Sequence, residues 1–169
     1  MPGPEPFDRA VRVLAASPAI LTALVRLCQA NRVVDSRLAA DAWSPRDILA
    51  HLLVVERDIN LPRLHRLADQ DAFVIQPVDP TPTPTGEVDE LLAEWQRERT
   101  RTLAWLRTLP PEVRSRTSIH PRHGRITFEQ HVVAWAYHDL DHLRQLLGII
   151  GGDLYPHMGS WQALYSPSG

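Results

Sequence analysis

The sequence predicts an all-α fold, a four-helix bundle whose second and third helices are joined by a long crossover loop. Three observations carry that expectation. Apolar residues recur at spacings of three and four through four long segments, whereas strand-like alternation bounded by turn signals is hard to find. Two capping boxes, Ser44-Pro45-Arg46-Asp47 and Thr127 with Gln130, mark helix starts. Between residues 70 and 86, Pro77, Pro80, Pro82 and Pro84 are interleaved with threonines, a composition that resists helix and sheet alike. A connection of that length lets helices two and three run in the same direction.

The first helix is expected over residues 7–29, with Ser17-Pro18 at a kink or fresh start. Its Ile20, Leu21, Leu24, Leu27 and Cys28 share one side, so Cys28 reads as a small core residue. The second runs over residues 44–69. Its Leu52-Leu53-Val54-Val55 stretch is apolar all round and so buried, Pro62 should kink it, and His65 falls on the surface. The third, residues 87–109, turns Leu91, Leu92, Trp95, Leu103 and Leu106 inward and stops at Pro110-Pro111. An irregular segment containing His120-Pro121-Arg122-His123-Gly124 follows. The fourth helix, residues 127–150, should end within Gly148 to Gly152, leaving a tail made irregular by Pro156, Gly159, Pro167 and Gly169. A chain of 169 residues that is 44% hydrophobic suits one domain, residues 1–169.

Composition removes several function classes. All 18 basic residues are arginine, and without lysine there is no Schiff-base chemistry. A net charge of −2, with arginines spread from Arg9 to Arg144, gives no footprint for nucleic acid. Cys28 is the sole cysteine, so neither a disulfide nor a multi-thiolate metal site can form within the chain. No run approaches 18 apolar residues, and residues 1–8 are proline-rich and acidic, unlike a signal peptide. A cytoplasmic protein with no membrane partner is the expectation. Glycine-rich phosphate loops and the G-x-S-x-G elbow are missing from the sequence.

The chemistry gathers on the fourth helix. Phe128, His131, Trp135, His138, His142, Gln145 and Ile149 form one inward seam, beside a second apolar stripe of Val132, Val133, Ala136, Leu140, Leu143, Leu147 and Ile150. His138 and His142, at i and i+4, suit one divalent ion. A third imidazole must come from elsewhere: His51, one turn into the second helix, or His157 in the tail. Three neutral imidazoles leave a fourth position for water or substrate. Histidines that merely hydrogen-bond within a core are the alternative, and both readings stand at this point. His131 lies two turns from His138, too far for the same ion, and reads with Trp135 as pocket wall or core. His120 and His123 belong either to a solvated turn or to a lid over the metal. His138-Asp139-Leu140-Asp141-His142 has zincin spacing, but aspartate is one methylene shorter than the glutamate used there. Asp139 and Asp141 could orient an imidazole, join an ion pair or lie in solvent, while Gln145 and Arg144 could flank the site.

Trp43-Ser44-Pro45 leading to His51, Leu61-Pro62-Arg63-Leu64, His120-Pro121 to Gly124, and His138-Asp139 with His142 and Gln145 together resemble the DinB-like family, the DinB/YfiT superfamily. The resemblance spans roughly residues 16–150. It implies a four-helix bundle with a long crossover and a divalent metal held by residues matching His51, His138 and His142. Zinc or nickel is the ion implied first, with iron, manganese or cobalt also compatible. Similar proteins include thiol S-transferases that use bacillithiol or mycothiol, a mycothiol-dependent isomerase and metal-dependent hydrolases, and many are dimeric. The expected function is therefore transfer of a low-molecular-weight thiol to a small-molecule substrate, with Arg144 holding the thiol's acidic part. Metal-dependent hydrolysis, or non-catalytic binding of a metal or small ligand under stress, is the alternative.

Overall fold

The computed structural model describes residues 5–76, 78 and 86–165. Its helices are α1 (Pro6–Ala30), α2 (Pro45–Val54), α3 (Leu61–Asp69), α4 (Val88–Leu106) and α5 (Phe128–Leu154). A π-helical turn, Val55–Asn60, welds α2 to α3, so the second rod of the bundle is continuous. Pro62 explains the turn. It has no N–H to give and its ring crowds the carbonyl four residues back, and the chain accommodates this by widening to i→i+5 bonding before it.

Contacts along the rods fix their directions. Arg46 donates to the Gly86 carbonyl, Arg57 pairs with Glu94 and Arg99 pairs with Glu56, so α2–α3 and α4 run the same way. Gln96 donates to Thr22 and Arg26 pairs with Asp89, which sets α1 antiparallel to α4. Phe7 meets Phe128 near the starts of α1 and α5, while the far ends of both helices share a core, so these two are parallel. The result is up-down-down-up, the order a long crossover permits. The proline-threonine crossover itself, with Pro77, Pro80, Pro82 and Pro84, lies outside the described residues.

The helix starts follow their capping chemistry. Ser44 accepts from the Asp47 N–H while Asp47 accepts from the Ser44 N–H at 2.9 Å, and both residues are buried. Arg37 adds an ion pair to Asp47 at 2.5 Å. Ser44→Ala should therefore cost about 1–2 kcal/mol, read as a lowered denaturant midpoint at constant slope. Thr127 and Gln130 form the second box, and Glu87 with Glu90 forms a third that the sequence reading lacks.

Several expectations need correction. Pro18 does not restart α1, which runs continuously through it. It frees the Leu14 carbonyl, and the Arg99 guanidinium donates to that oxygen at 3.1 Å. Leu21, Leu24 and Cys28 are buried as expected, whereas Ile20 and Leu27 lie on the outer flank. Although α1 is long and apolar enough to cross a membrane, its stripe of Leu14, Leu21, Val25 and Cys28 is the bundle's core face. On α5, Val132, Ala136 and Leu143 are buried while Val133, Leu140 and Leu147 are exposed, so the second apolar stripe is only half internal.

α5 also runs through Gly148, Gly151 and Gly152 to Leu154. A Cβ at Gly152 would come within 2.9 Å of the Leu38 side chain, so close packing against the loop before α2, not helix termination, accounts for that glycine. The tail beyond, Tyr155–Leu164, is a pair of 3-10 turns broken at Gly159, whose φ of 57° suits glycine. Pro167 and Gly169 lie outside the described residues.

A small sheet is also present. β1 (Phe73–Val74) pairs parallel with β2 (Thr117–His120), which pairs antiparallel with β3 (Gly124–Thr127). Phe73 and Ile75 turn from it into a core shared with Leu64, Leu67, Phe128 and Trp135. A second apolar core, around Leu49, Leu53, Trp95 and Leu146, fills the other half of the bundle.

Candidate metal centre

His51 sits one and a half turns into α2 and is 4% exposed because the Ser44 box directs that face inward. His138 and His142 arrive from α5 on the same side. The His51 and His138 Nε2 atoms lie 2.9 Å apart, and those of His138 and His142 3.1 Å apart. One ring nitrogen from each of the three lies within 4.8 Å of the other two. Lone pairs at that separation repel unless a proton or cation lies among them. Three nitrogens around a tetrahedral zinc with bonds of 2.0–2.1 Å would be about 3.3 Å apart, so the two His138 separations need only slight widening to hold one, and the His51 and His142 nitrogens lie within 4.8 Å of each other.

The surroundings favour the neutral, ligating form. Burial first, then His142 and His51, pushes His138 down to about 4, and burial lowers His142 as well. His142 Nδ1 lies 3.0 Å from Gln145 Oε1. Since that oxygen only accepts, the ring proton belongs on Nδ1 and the Nε2 lone pair faces the cluster. Buried His138 Nδ1 has no hydrogen-bond partner among the described residues. Trp43 stacks on His142 at 5.8 Å and 12° and lies 4.5 Å from the His51 ring, shielding both. These residues fit a divalent ion.

One side of the cluster opens on a cavity of about 1070 Å³, whose wall includes Trp43, His51, His142 and Gln145 together with Asp41, Asp141 and Arg144. Asp141 and Arg144 pair with each other there. Gln145 and Arg144 thus stand where the sequence places them, although Arg144 is already engaged. Asp41 and Trp43 enter the site from the loop before α2, and only Trp43 carries a sequence signal, its place beside Ser44-Pro45.

Three other candidates are not at the pocket. Asp139 is 2% exposed and bonds Arg99 at 2.6 Å; Arg99 also pairs with Glu56 at 2.7 Å. The ion-pair reading of Asp139 is the one that holds. Trp135 is a core residue whose ring lies 5.4 Å from the same guanidinium. His131 contacts Ser118 of the sheet at 2.8 Å rather than lining the cavity. His120 and His123 flank the β2–β3 turn with ring centroids 4.5 Å apart and are no lid, since neither borders the cavity. His157 is exposed and is not part of the cluster, and His65 stacks on Trp105 at the surface.

His131 gives a pH prediction free of the metal. Burial, then Arg63 and His120, lowers its pKa from 6.5 to about 4. Below 6.5 the unfolded chain takes up a proton that the folded chain refuses, so stability is present above 6.5 and falls as pH drops toward 4. In metal-free protein His131→Gln, which can still bond Ser118, should remove roughly 2 kcal/mol of that decline. Urea titrations at pH 7 and pH 4.5 check it; an unchanged pH slope would refute it.

The fold and site together define a class: an up-down-down-up helical bundle with a three-histidine cluster compatible with one metal ion, two of the histidines lining a cavity. The chain belongs to the DinB superfamily, whose family model matches residues 14–146. Among solved structures it is similar to YfiT from Bacillus subtilis, described as a probable metal-dependent hydrolase with an unusual four-helix bundle topology. The TM-score is 0.75 at 23% identity, over 85% of each chain. No curated protein matches it.

Proposed function

We propose that this chain is a divalent-metal enzyme that hydrolyses a small organic substrate, holding zinc or nickel on His51, His138 and His142. The observation that carries the reading is the convergence of three imidazole nitrogens, two of them on histidines that line one large cavity. A divalent ion bound there supplies Lewis acidity and lowers the pKa of a coordinated water or thiol. Trp43 keeps bulk solvent off the rings, and Gln145 fixes the His142 tautomer. Asp141 borders the cavity one residue before His142, and Arg144 holds its Oδ1, leaving Oδ2 to accept a proton from the attacking group. Asp139 is unsuited to that role because Arg99 takes both of its oxygens. The B. subtilis protein's description as a hydrolase agrees with this reading.

One observation favours a second reading, transfer of a low-molecular-weight thiol. The cavity is at the upper end of small-molecule sites, roomy enough for a thiol and an electrophile together. Against an acidic thiol stands the pairing of Arg144 with Asp141, which leaves that arginine's charge already matched.

Activated esters and amides, and separately alkyl and aryl electrophiles, assayed with and without added thiol on zinc- or nickel-loaded protein divide the readings. Turnover without thiol supports hydrolysis; turnover only with thiol supports transfer; neither leaves a non-catalytic binder. Asp141→Asn should retain the metal and lose about a hundredfold in kcat. Full activity in that variant would remove Asp141 from the mechanism.

A further inference from the structure

The cavity is chemically divided along its length. At the histidine end lie Asp141, Arg144 and Gln145, within a turn of His142, while Asp41 borders the cavity from the loop before α2. From there it follows the flank of α5 past Leu147 and Gly151 to Tyr155 and Met158. At 1.5 Å per residue, Tyr155 lies roughly 20 Å along the helix axis from His142. Among the described residues, those that line the cavity on α5 beyond Gln145 and in the turns after it are uncharged, and Arg144 is paired with Asp141. An anionic tail would find no partner there, whereas an apolar one would leave water for an aliphatic and aromatic wall.

We infer that the substrate carries an extended, uncharged alkyl or aryl tail lying along α5 between Leu38 and Tyr155, with its polar reacting group at the histidine end. This rests on the metal reading above for the polar end alone. Gly151 makes the tail's place testable. It borders the cavity, and a Cβ built on it meets no atom within 4 Å, so a larger side chain there starts in open space at the groove's edge. Replacing a mid-helix glycine should not lower stability.

The test titrates acetyl, hexanoyl and octanoyl hydroxamates into zinc-loaded protein by calorimetry. In parallel, the corresponding primary amides, which do not ligate zinc, are titrated into metal-free protein. Wild type should bind the octanoyl hydroxamate about a hundredfold more tightly than the acetyl one, and the amides should show the same trend more weakly. Gly151→Phe should flatten both series while keeping its zinc content and melting temperature. Leu147→Glu, a substitution at a half-exposed position that puts a charge beside the tail, should flatten them too. Affinity independent of tail length in wild type overturns the inference, as does undiminished octanoyl binding in both variants. If zinc does not load, the metal reading fails by itself, and the amide series still decides the tail.

Discussion

Replacing His51, His138 or His142 with alanine is expected to lower zinc affinity by roughly a thousandfold or more each, because three ligands are the fewest that enclose the ion. The three losses should not be identical. His51→Ala leaves the His138 and His142 pair on one face of α5, separated by a single turn, and that pair should retain weak binding. His138→Ala removes the central nitrogen, the one within 2.9 Å and 3.1 Å of both others, and should be the most damaging. Gln145→Ala deletes only the acceptor that holds the His142 ring proton, so a loss of about 10–100-fold is expected. Competition with a chelator of known affinity, with elemental mass spectrometry on purified protein, measures all four. If the three histidine variants bind zinc as wild type does, or if wild type cannot be loaded at neutral pH, the cluster is a core feature and both enzyme readings fall.

The helices and the histidine cluster are legible in the sequence for a shared reason. Capping boxes and 3.6-residue periodicity act locally, and the i, i+4 spacing of His138 and His142 is set by one helix alone. The placement of His51 follows from the same logic, since Ser44 fixes the helix start and so the face on which residue 51 falls. What the sequence hides are features created by tertiary contact. The two-residue strand β1 acquires its pairing from a segment 45 positions away, at Phe73 with Ser118, too short to show alternation. The β2–β3 hairpin had a usable signal: Gly124, at φ 73°, closes a turn between Thr117-Ser118-Ile119 and Arg125-Ile126-Thr127. Glycines 148–152 read as a stop because glycine disfavours helix. The packing of Leu38 against α5 overrides that propensity.

The buried charge cluster is the largest such omission, though Trp135, Asp139, His142 and Leu146 share the core face by the same three-and-four spacing. Arg99 is 0% exposed, Glu56 0% and Asp139 2%, and they lie between the two apolar cores in position along their helices. The guanidinium bonds both carboxylates and the Leu14 carbonyl, and Thr102 donates to Glu56 at 2.8 Å. Burial nevertheless raises the Glu56 pKa, with Arg99 opposing it, so the glutamate depends on its partner to stay ionised. One residue thus joins α1, the π turn of the second rod, α4 and α5, and its partner Asp139 is the neighbour of His138.

Arg99→Met should consequently be among the most destabilising single changes in the protein, costing about 3–5 kcal/mol. It strands two buried carboxylates and the carbonyl that Pro18 has already deprived of its helical partner. Metal content in the surviving folded fraction should also fall, as the π turn and α5 lose the tie that sets His51 against His138. The decisive comparison is a triple variant, Glu56→Met, Arg99→Met and Asp139→Leu, in which no charge is left unpaired. Buried ion clusters are costly to desolvate, so this chain should recover most or all of the lost stability in urea. If the triple variant is as unstable as Arg99→Met, the damage comes from lost packing rather than stranded charge. If it regains stability but not zinc affinity, the cluster holds the histidine-bearing helices in register. Recovery of both would make the charges dispensable to the site.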